Sequence, residues 1–285
     1  MINDLTVIII TFQEEAKIRD CIESVKSVTS NIFVVDSYST DETQNILDDL
    51  GVRFVEHEFI TYSKKRNWAQ KNNPFKTEWV MHLDADERFT PELTAWFINE
   101  FAEKKKITDG FLFSRKTMFM NKWIKHGGQY PNYHARLFRE NLGHCEDKEY
   151  DQHFIIDSNR IATIADADII NIVADNIDDL IRSHNNWATK EANEILVANR
   201  NVSGEIEPRI WGNAIQRRRW LKSNIFEKAP LFYRSFVYFN YRFFIRGGFL
   251  DGKEGLIFFV LQTFWFRFLV DAKVFEFQKD MNKTK

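Results

Sequence analysis

The sequence predicts an α/β fold: a mostly parallel sheet with flanking helices, followed by a helical, aromatic-rich C-terminal extension. Three observations carry this. The first 115 residues alternate β-branched runs with segments of helical periodicity. Polar clusters follow three of those runs directly. At Pro208 the composition changes: residues 208–285 hold 15 Lys and Arg against 6 Asp and Glu, although the whole 285-residue chain has a net charge of −2. An acidic body, residues 1–207, thus precedes a basic tail, residues 208–285. With 44% hydrophobic residues the body can bury one sizeable core.

The elements follow in order. Leu5–Thr11 is a continuous apolar run, as a strand buried on both faces requires. Glu14–Ser27 places Ala16, Ile18, Cys21, Ile22 and Val25 at helical spacing. Ile32–Asp36 is a second strand. Ser39–Glu42 caps a helix that ends at Gly51. Val52–Glu56 is a third strand, Ser63–Lys71 a helix, and Glu78–Leu83 a fourth strand ending in Asp84-Ala-Asp86. Pro91 opens another helix, and Gly110–Ser114 is a fifth strand. Such alternation implies helices on both faces of a parallel sheet. From Thr117 to Asp168 the pattern is irregular, with short strands and a Gly127-Gly128 turn; Ile177–Arg200 is a long helical stretch. Cys21 and Cys145 have neither metal-ligand spacing nor a partner framework, which fits a reducing compartment. Asp4 precedes the first strand with no basic leader, so no signal peptide is expected. The most apolar window, Leu256–Val270, is broken by Gln262, Thr263 and Arg267, so no bilayer span is expected.

In an open α/β sheet, ligands sit beyond the carboxyl ends of the strands. Here those ends carry Thr11-Phe-Gln-Glu14, Asp36-Ser37 and Asp84-Ala-Asp86. A ring beside a hydrogen-bonding carboxylate suits a nucleobase. In this reading Asp84 holds a ribose or assists, and Asp86 ligates a hard divalent cation, Mg²⁺ or Mn²⁺, that bridges phosphates. An isolated Asp-x-Asp also reads as a solvated turn, and Asp166-Ala-Asp168 repeats the tripeptide in the irregular region. No glycine-rich phosphate loop is present, so phosphates need the metal and a cation such as Arg66.

Val7-Ile-Ile-Ile-Thr-Phe-Gln-Glu-Glu15 resembles the V-I-I-x-T-Y-N-E-E opening of family-2 glycosyltransferases. Val34-Val-Asp-Ser-Tyr-Ser-Thr-Asp-Glu-Thr43 resembles their V-V-D-D-G-S-T-D-x-T motif. Lys65-Arg-Asn67 and Leu83-Asp-Ala-Asp-Glu87 follow in the family's order. Phe12 stands for Tyr, Gln13 for Asn, and Ser37-Tyr38 for Asp-Gly. The resemblance implies a GT-A fold, that of nucleotide-diphospho-sugar transferases, and a UDP-sugar donor. It implies donor contacts at Thr11, Phe12, Glu14, Asp36, Arg66, Asn67 and Asp84, with the metal at Asp86. It divides the body into a nucleotide-binding half, 1–115, and an acceptor half, 116–207. Gly127–Arg139 and Phe244–Gly255 are similar to a subgroup that includes lipopolysaccharide-core β-1,4-glucosyltransferases.

The reaction so implied is inverting and needs a base for the acceptor hydroxyl. The family takes an Asp or Glu past the fifth strand, which here means Asp151, then Glu149 and Asp147; a solvated acidic loop is the alternative. Gly128, Tyr130 and Arg136 are implied at the acceptor, although an ion pair accounts equally well for Arg136. Gln216-Arg-Arg-Arg-Trp220 matches the Q-x-x-R-W pattern of processive family members, which adds Arg219 and Trp220 at the acceptor. The tail holds 14 Phe between Phe226 and Phe277, more than phosphate contact requires. It is expected to lie on the inner face of the cell membrane, with no nucleic-acid partner; packing against the body is the alternative. The implied function is extension of a glycan or lipid-linked acceptor in polysaccharide or lipopolysaccharide synthesis. A nucleotidyltransferase, a non-catalytic sugar-nucleotide-binding module and a nucleic-acid-binding protein are the competing classes.

Overall fold

The computed structural model describes residues 1–148, 152–174, 176–198, 209–211 and 214–283. The chain divides into two compact units. The first comprises Met1–Lys116, Pro131–Lys148 and Gln152–Ile172; the second comprises the described residues of 117–130 and 173–285.

The first unit contains β1 (Leu5–Thr11), α1 (Ile18–Val25), β2 (Ile32–Asp36), α2 (Thr43–Asp49), β3 (Arg53–Glu56), α3 (Tyr62–Lys71), β4 (Trp79–Asp84), β5 (Glu87–Phe89), α4 (Pro91–Asn99) and α5 (Phe101–Lys104). β6 (Gly110–Phe119) continues into the second unit, where β7 (Lys122–Trp123) follows. β8 (Tyr133–Arg139), β9 (Gly143–Cys145), β10 (Phe154–Ile156) and β11 (Ile161–Ile172) complete the strands. The main sheet runs β3-β2-β1-β4-β8-β6-β11-β5. Its first four strands are parallel and in register, with Thr11 opposite Asp36 and Ile10 opposite Asp84. That register gathers three polar strand ends along one edge.

Beyond β4 the direction changes. β8 lies antiparallel to both β4 and β6, and β11 is antiparallel to β5. β6, opened by Gly110, therefore runs in the same sense as β4 but is separated from it by the antiparallel β8. After β6 the chain turns back through Met120 and Asn121, both in the left-handed region (φ 48° and 60°), and β7 pairs with the end of β6. A two-residue turn of that hand makes an antiparallel hairpin, whereas a parallel neighbour needs a long crossover. The stretch from Thr117 to Asp168, expected to be irregular with short strands, holds β7, β8, β9 and β10 between the end of β6 and the start of β11. The second Asp-x-Asp copy lies inside β11, where Asp168 is buried and ion-paired to Lys116 at 3.2 Å.

Alternation along β1 sends Val7 and Ile9 to one face and Ile8 to the other. The first face meets an aromatic cluster of Trp79, Trp96, Phe97, Phe101, Phe111 and Phe113. The Trp96 and Phe111 rings meet edge to face at 5.0 Å, as do Trp79 and Phe101 at 5.3 Å. Thr90 starts α4 by accepting from Leu93 N, with Pro91 in the first turn, and its hydroxyl donates to Asp168 O.

The second unit is helical: α6 (Ile177–Ala198), α7 (Ala214–Leu221), α8 (Tyr233–Asn240), α9 (Gly252–Phe259) and α10 (Phe266–Lys283). The expected boundary at residue 208 is not where the units divide. α6 belongs with the C-terminal helices because Ala188 and Ala192 pack against Phe266, Val270 and Val274. Single π-helical stretches occupy Lys222–Phe226, Tyr241–Ile245 and Val260–Trp265. The tail phenylalanines range from buried to exposed. Phe258, Phe259 and Phe266 are buried, whereas Phe236, Phe244 and Phe249 are at least half exposed. Gly248–Asp280 forms one helix that is long and apolar enough to cross a membrane by length and composition, with less than half of its apolar window buried. The polar residues that interrupt the sequence there are satisfied within the unit. Thr263 donates to Phe259 O at 2.6 Å, and Arg267 donates to both Glu191 carboxylate oxygens at 2.7 and 2.8 Å.

Replacing Phe111 by Ala removes a fully buried ring from the centre of the aromatic cluster. Urea unfolding should show a loss of about 3–5 kcal/mol. A loss below about 1 kcal/mol would mean that the cluster closes over the gap.

Candidate active site

The edge where β1, β2 and β4 end is held by α3. Thr61 caps this helix, accepting from Lys64 N at 3.2 Å. Its inward face is polar rather than apolar, and it bonds backbone. Asn67 Nδ2 donates to Cys145 O and Asn67 Oδ1 accepts from Cys145 N, both at 2.8 Å, so the amide acts as one more rung beside β9. Asn67 was expected at the donor. Its side-chain amide instead bonds the backbone of β9 at Cys145. Gln70 donates to Glu140 O and Gly143 O at 2.8 and 2.7 Å. Gln70 Oε1 also meets His82 Nε2 at 3.0 Å, and burial holds that imidazole well below its ordinary pKa, hence neutral.

So anchored, α3 presents Arg66 to the end of β4. Arg66 Nη2 donates to Asp84 Oδ1 at 2.7 Å, and from β8 Arg136 Nη2 donates to Asp84 Oδ2 at 3.0 Å. Arg136 also meets Glu87 Oε1 at 2.7 Å, and Glu87 accepts from Asp84 N at 3.1 Å. Burial alone would raise the Asp84 pKa; the two guanidinium groups hold it well below the usual carboxylate range. Arg136, expected at the acceptor, is 4% exposed and lies inside this cluster as an ion-pair partner. Asp84, expected at a ribose, has both carboxylate oxygens engaged by arginine.

Asp86 differs. Among the described residues its carboxylate has no hydrogen bond or ion pair. Desolvation and the negative charges of Asp84, Glu87 and Glu14 raise its pKa, because a further anion is unfavourable there. That surplus of negative charge fits a divalent cation. Among the described residues no three His, Cys, Asp or Glu side chains converge on a metal site, so Asp86 would share the ion with ligand oxygens and water.

At the neighbouring strand ends, Asp36 is fully buried. Ser39 donates to it from N (2.7 Å) and Oγ (2.6 Å), and Gln44 from Nε2 at 2.9 Å. Lys65, 3% exposed, donates to Thr11 O at 2.7 Å and Ser37 Oγ at 2.6 Å, tying β1 to β2. Burial pushes its pKa down to about 8, against the opposing pull of Asp36. Thr11 is 3% exposed, and its Oγ1 has no hydrogen-bond partner among the described residues. Phe12 is 55% exposed. Glu14 pairs with Lys17 at 3.1 Å.

Of the base candidates, Asp147 is exposed, with Ser63 Oγ 3.4 Å from its Oδ1; Asp151 and Glu149 lie outside the described residues. Gly128 and Tyr130 belong to the second unit, where Gly128 has φ 74° and Tyr130 meets Trp123 edge to face at 5.0 Å. Arg219 and Trp220 are on α7 of the same unit. Sequence reasoning assigned no role to Lys65, Glu87 or Gln44. Lys65 and Glu87 fell inside quoted motifs, and a signal existed for Glu87: a third acid directly after Asp-x-Asp needs a buried cation. Nothing local pointed to Gln44.

The family described as "Glycosyl transferase family 2" matches residues 6–156, more than half of the chain. An uncharacterised glycosyltransferase of Rickettsia typhi is 36% identical over 89 residues, 31% of this chain and 30% of that protein. The teichoic acid poly(glycerol phosphate) polymerase of Staphylococcus epidermidis is 31% identical over 120 residues, 39% of this chain and 16% of that one. The chain therefore spans less than a third of the length of these relatives. Among solved structures, the mannosyltransferase PcManGT of Pyrobaculum calidifontis, in complex with GDP-Man and Mn²⁺, is 14% identical with a TM-score of 0.54, covering 95% of this chain and 87% of that one. At that identity the likeness establishes the fold.

Lys65 makes stability depend on pH. Its folded pKa, about 8, lies below the ordinary 10.5, so the unfolded chain binds the extra proton between those values. The contribution is complete above pH 10.5 and is lost as pH falls through 8. In urea unfolding, wild type should therefore gain on Lys65→Met by up to about 3 kcal/mol as pH rises from 8 to 10.5. A constant difference would mean that burial does not shift this ammonium.

Proposed function

Since this chain belongs to glycosyl transferase family 2, we propose that it moves a sugar, with inversion, from a UDP-sugar to a hydroxyl of a glycan or lipid-linked acceptor in cell-surface polysaccharide or lipopolysaccharide synthesis. The observation that carries the reading is Asp86. It is the one carboxylate of the Asp84, Asp86 and Glu87 group without an ion-pair partner among the described residues, at the edge where β1, β2 and β4 end. The cell-surface setting is supported by the likeness to a teichoic acid polymerase.

The chain's own groups divide the work. Phe12 offers an open face to the base, beside Thr11. Arg66 and Arg136 keep Asp84 ionised, and Glu87 ties the backbone of Asp84. This fixes the short loop that carries Asp86. A divalent cation held by Asp86 would neutralise the departing diphosphate. The acceptor hydroxyl attacks the anomeric carbon as the bond to the diphosphate oxygen breaks, and its proton passes to a carboxylate, for which Asp151, Glu149 and Asp147 remain the proposed bases. Gly128, Tyr130, Arg219 and Trp220 are kept as acceptor contacts; Arg136 is not, because its guanidinium is engaged by Asp84 and Glu87.

Calorimetry with UDP and Mn²⁺ tests the donor site. Wild type should bind UDP at least tenfold more tightly with the metal than with a chelator, and Asp86→Asn should lose that difference. Equal affinity in all four combinations would remove the basis for the assignment.

We also propose that the second unit rests on the cytoplasmic face of an anionic membrane. Phe236, Phe244, Ile245, Phe249 and Leu250 are 50–76% exposed, and Arg242 and Arg246 lie on the same segment. Burying one such side chain is worth about 1.5–3 kcal/mol. The protein should co-sediment with anionic liposomes, and Phe244→Ser with Ile245→Ser should weaken this at least tenfold. Protein left entirely in the supernatant would reject the membrane contact.

A further inference from the structure

Beside Phe12, a second open ring stands on the neighbouring strand end. Tyr38 is 54% exposed and Phe12 55%, and among the described residues neither contacts another ring, a cation or a hydrogen-bond partner through its side chain. Their places are fixed across the β1–β2 ladder. Thr11 pairs with Asp36, Ser37 N donates to Thr11 O at 3.1 Å, and Gln13 N donates to Ser39 Oγ at 2.8 Å. Phe12 lies between residues 11 and 13, and Tyr38 between residues 37 and 39, so two sets of bonds bracket both rings. Gln13 Nε2 adds a third latch, donating to Thr40 Oγ1 at 2.8 Å.

Tyr38 also has a backbone that a tyrosine adopts rarely. Its φ is 60°, in the left-handed region where glycine carries no penalty, and Gln13 opposite has φ 56°. Strain of this kind persists where the surroundings over-determine it, and it clusters at ligand sites. An exposed tyrosine is thus held in a glycine conformation, at the carboxyl edge of a parallel sheet, next to a ring already facing outward. A third observation points to a ligand at the same place: the buried Oγ1 of Thr11 has no partner among the described residues.

We propose that Tyr38 is the second aromatic wall of the donor site, so that the planar base of a nucleoside diphosphate is held between Phe12 and Tyr38. This rests on the donor reading above and goes beyond it by assigning a further base-binding residue. Asp36 accepts from Ser39 and Gln44, so its carboxylate is largely taken and grip on the base falls to ring faces. Stacking is tolerant of base identity, and UDP and GDP should both feel the second wall.

The test compares wild type, Phe12→Ala, Tyr38→Phe and Tyr38→Gly for binding of UDP, GDP and inorganic pyrophosphate with Mn²⁺ by calorimetry, each with a melting curve. Tyr38→Gly should weaken UDP and GDP by about fivefold to a hundredfold. Its melting temperature should rise by a few degrees, because glycine relieves the backbone, and its pyrophosphate affinity should stay at the wild-type value. Tyr38→Phe should bind within twofold of wild type. If wild type and Tyr38→Gly bind UDP equally while Phe12→Ala is weakened, the second wall is refuted and the donor site stands. Equal weakening toward pyrophosphate refutes it too, as collapse of the loop. Wild type that binds no nucleoside diphosphate overturns both readings.

Discussion

The buried pairing of two arginines with Asp84 and Glu87 governs this site. Charges taken out of water must be compensated, and a half-compensated group is more costly than none. Arg66 arrives from α3 and Arg136 from β8, so two elements distant in sequence must close on the end of β4 to hold the Asp84 carboxylate ionised there. The compensation stops one residue short. Asp84 and Glu87 are matched, and for Asp86 between them the nearby acids outweigh the more weakly felt Arg115. A loop made rigid by four satisfied charges therefore presents a fifth that asks for an ion from outside.

The same logic explains why α3 turns a polar face inward. An apolar helix could cover the sheet but could not fix the guanidinium of Arg66 to within a hydrogen bond. Ser63, Asn67 and Gln70 lie at helical spacing on α3, and the last two reach backbone groups that would otherwise be buried without partners. Lys65 performs the corresponding task for β1 and β2. Its depressed pKa records what it costs to keep an ammonium beside a neutral serine hydroxyl, with the Asp36 carboxylate turned toward Ser39 and Gln44.

The parallel half of the sheet was legible in the sequence because each strand there is a β-branched run buried on both faces, and the motifs were legible because they end those strands. Strand direction was not. Gly110–Ser114 runs in the sense of the parallel strands, but its neighbour β8 runs against it, and nothing local in either run says that β8 is inserted between β4 and β6. β5 has three residues and follows the acidic motif at once, too short for any periodic signal. For Arg136 acceptor contact and ion pair stayed equally open, and Asn67 was read as a donor contact, because their partners, Asp84 and Cys145, lie 52 and 78 residues away. No window on the chain connects such pairs. The division into two units escaped for a similar reason: α6 looks like the end of the body until Val270 and Val274 are seen against it.

The π-helical stretch between α9 and α10 sets a phase. Ahead of it, Phe258 and Phe259 face a cluster with Phe119, Ile124 and Leu180; behind it, Phe266, Val270 and Val274 face the small residues of α6. A wide turn advances each later side chain about the axis relative to an uninterrupted α-helix. Excising one residue from Val260–Trp265 would restore regular winding and rotate the whole distal rod, carrying Val270 and Val274 off the alanines of α6. The number of residues in that one turn is thus as much a part of the packing code as the valines themselves, and relatives that shorten it must relocate their apolar stripe to match.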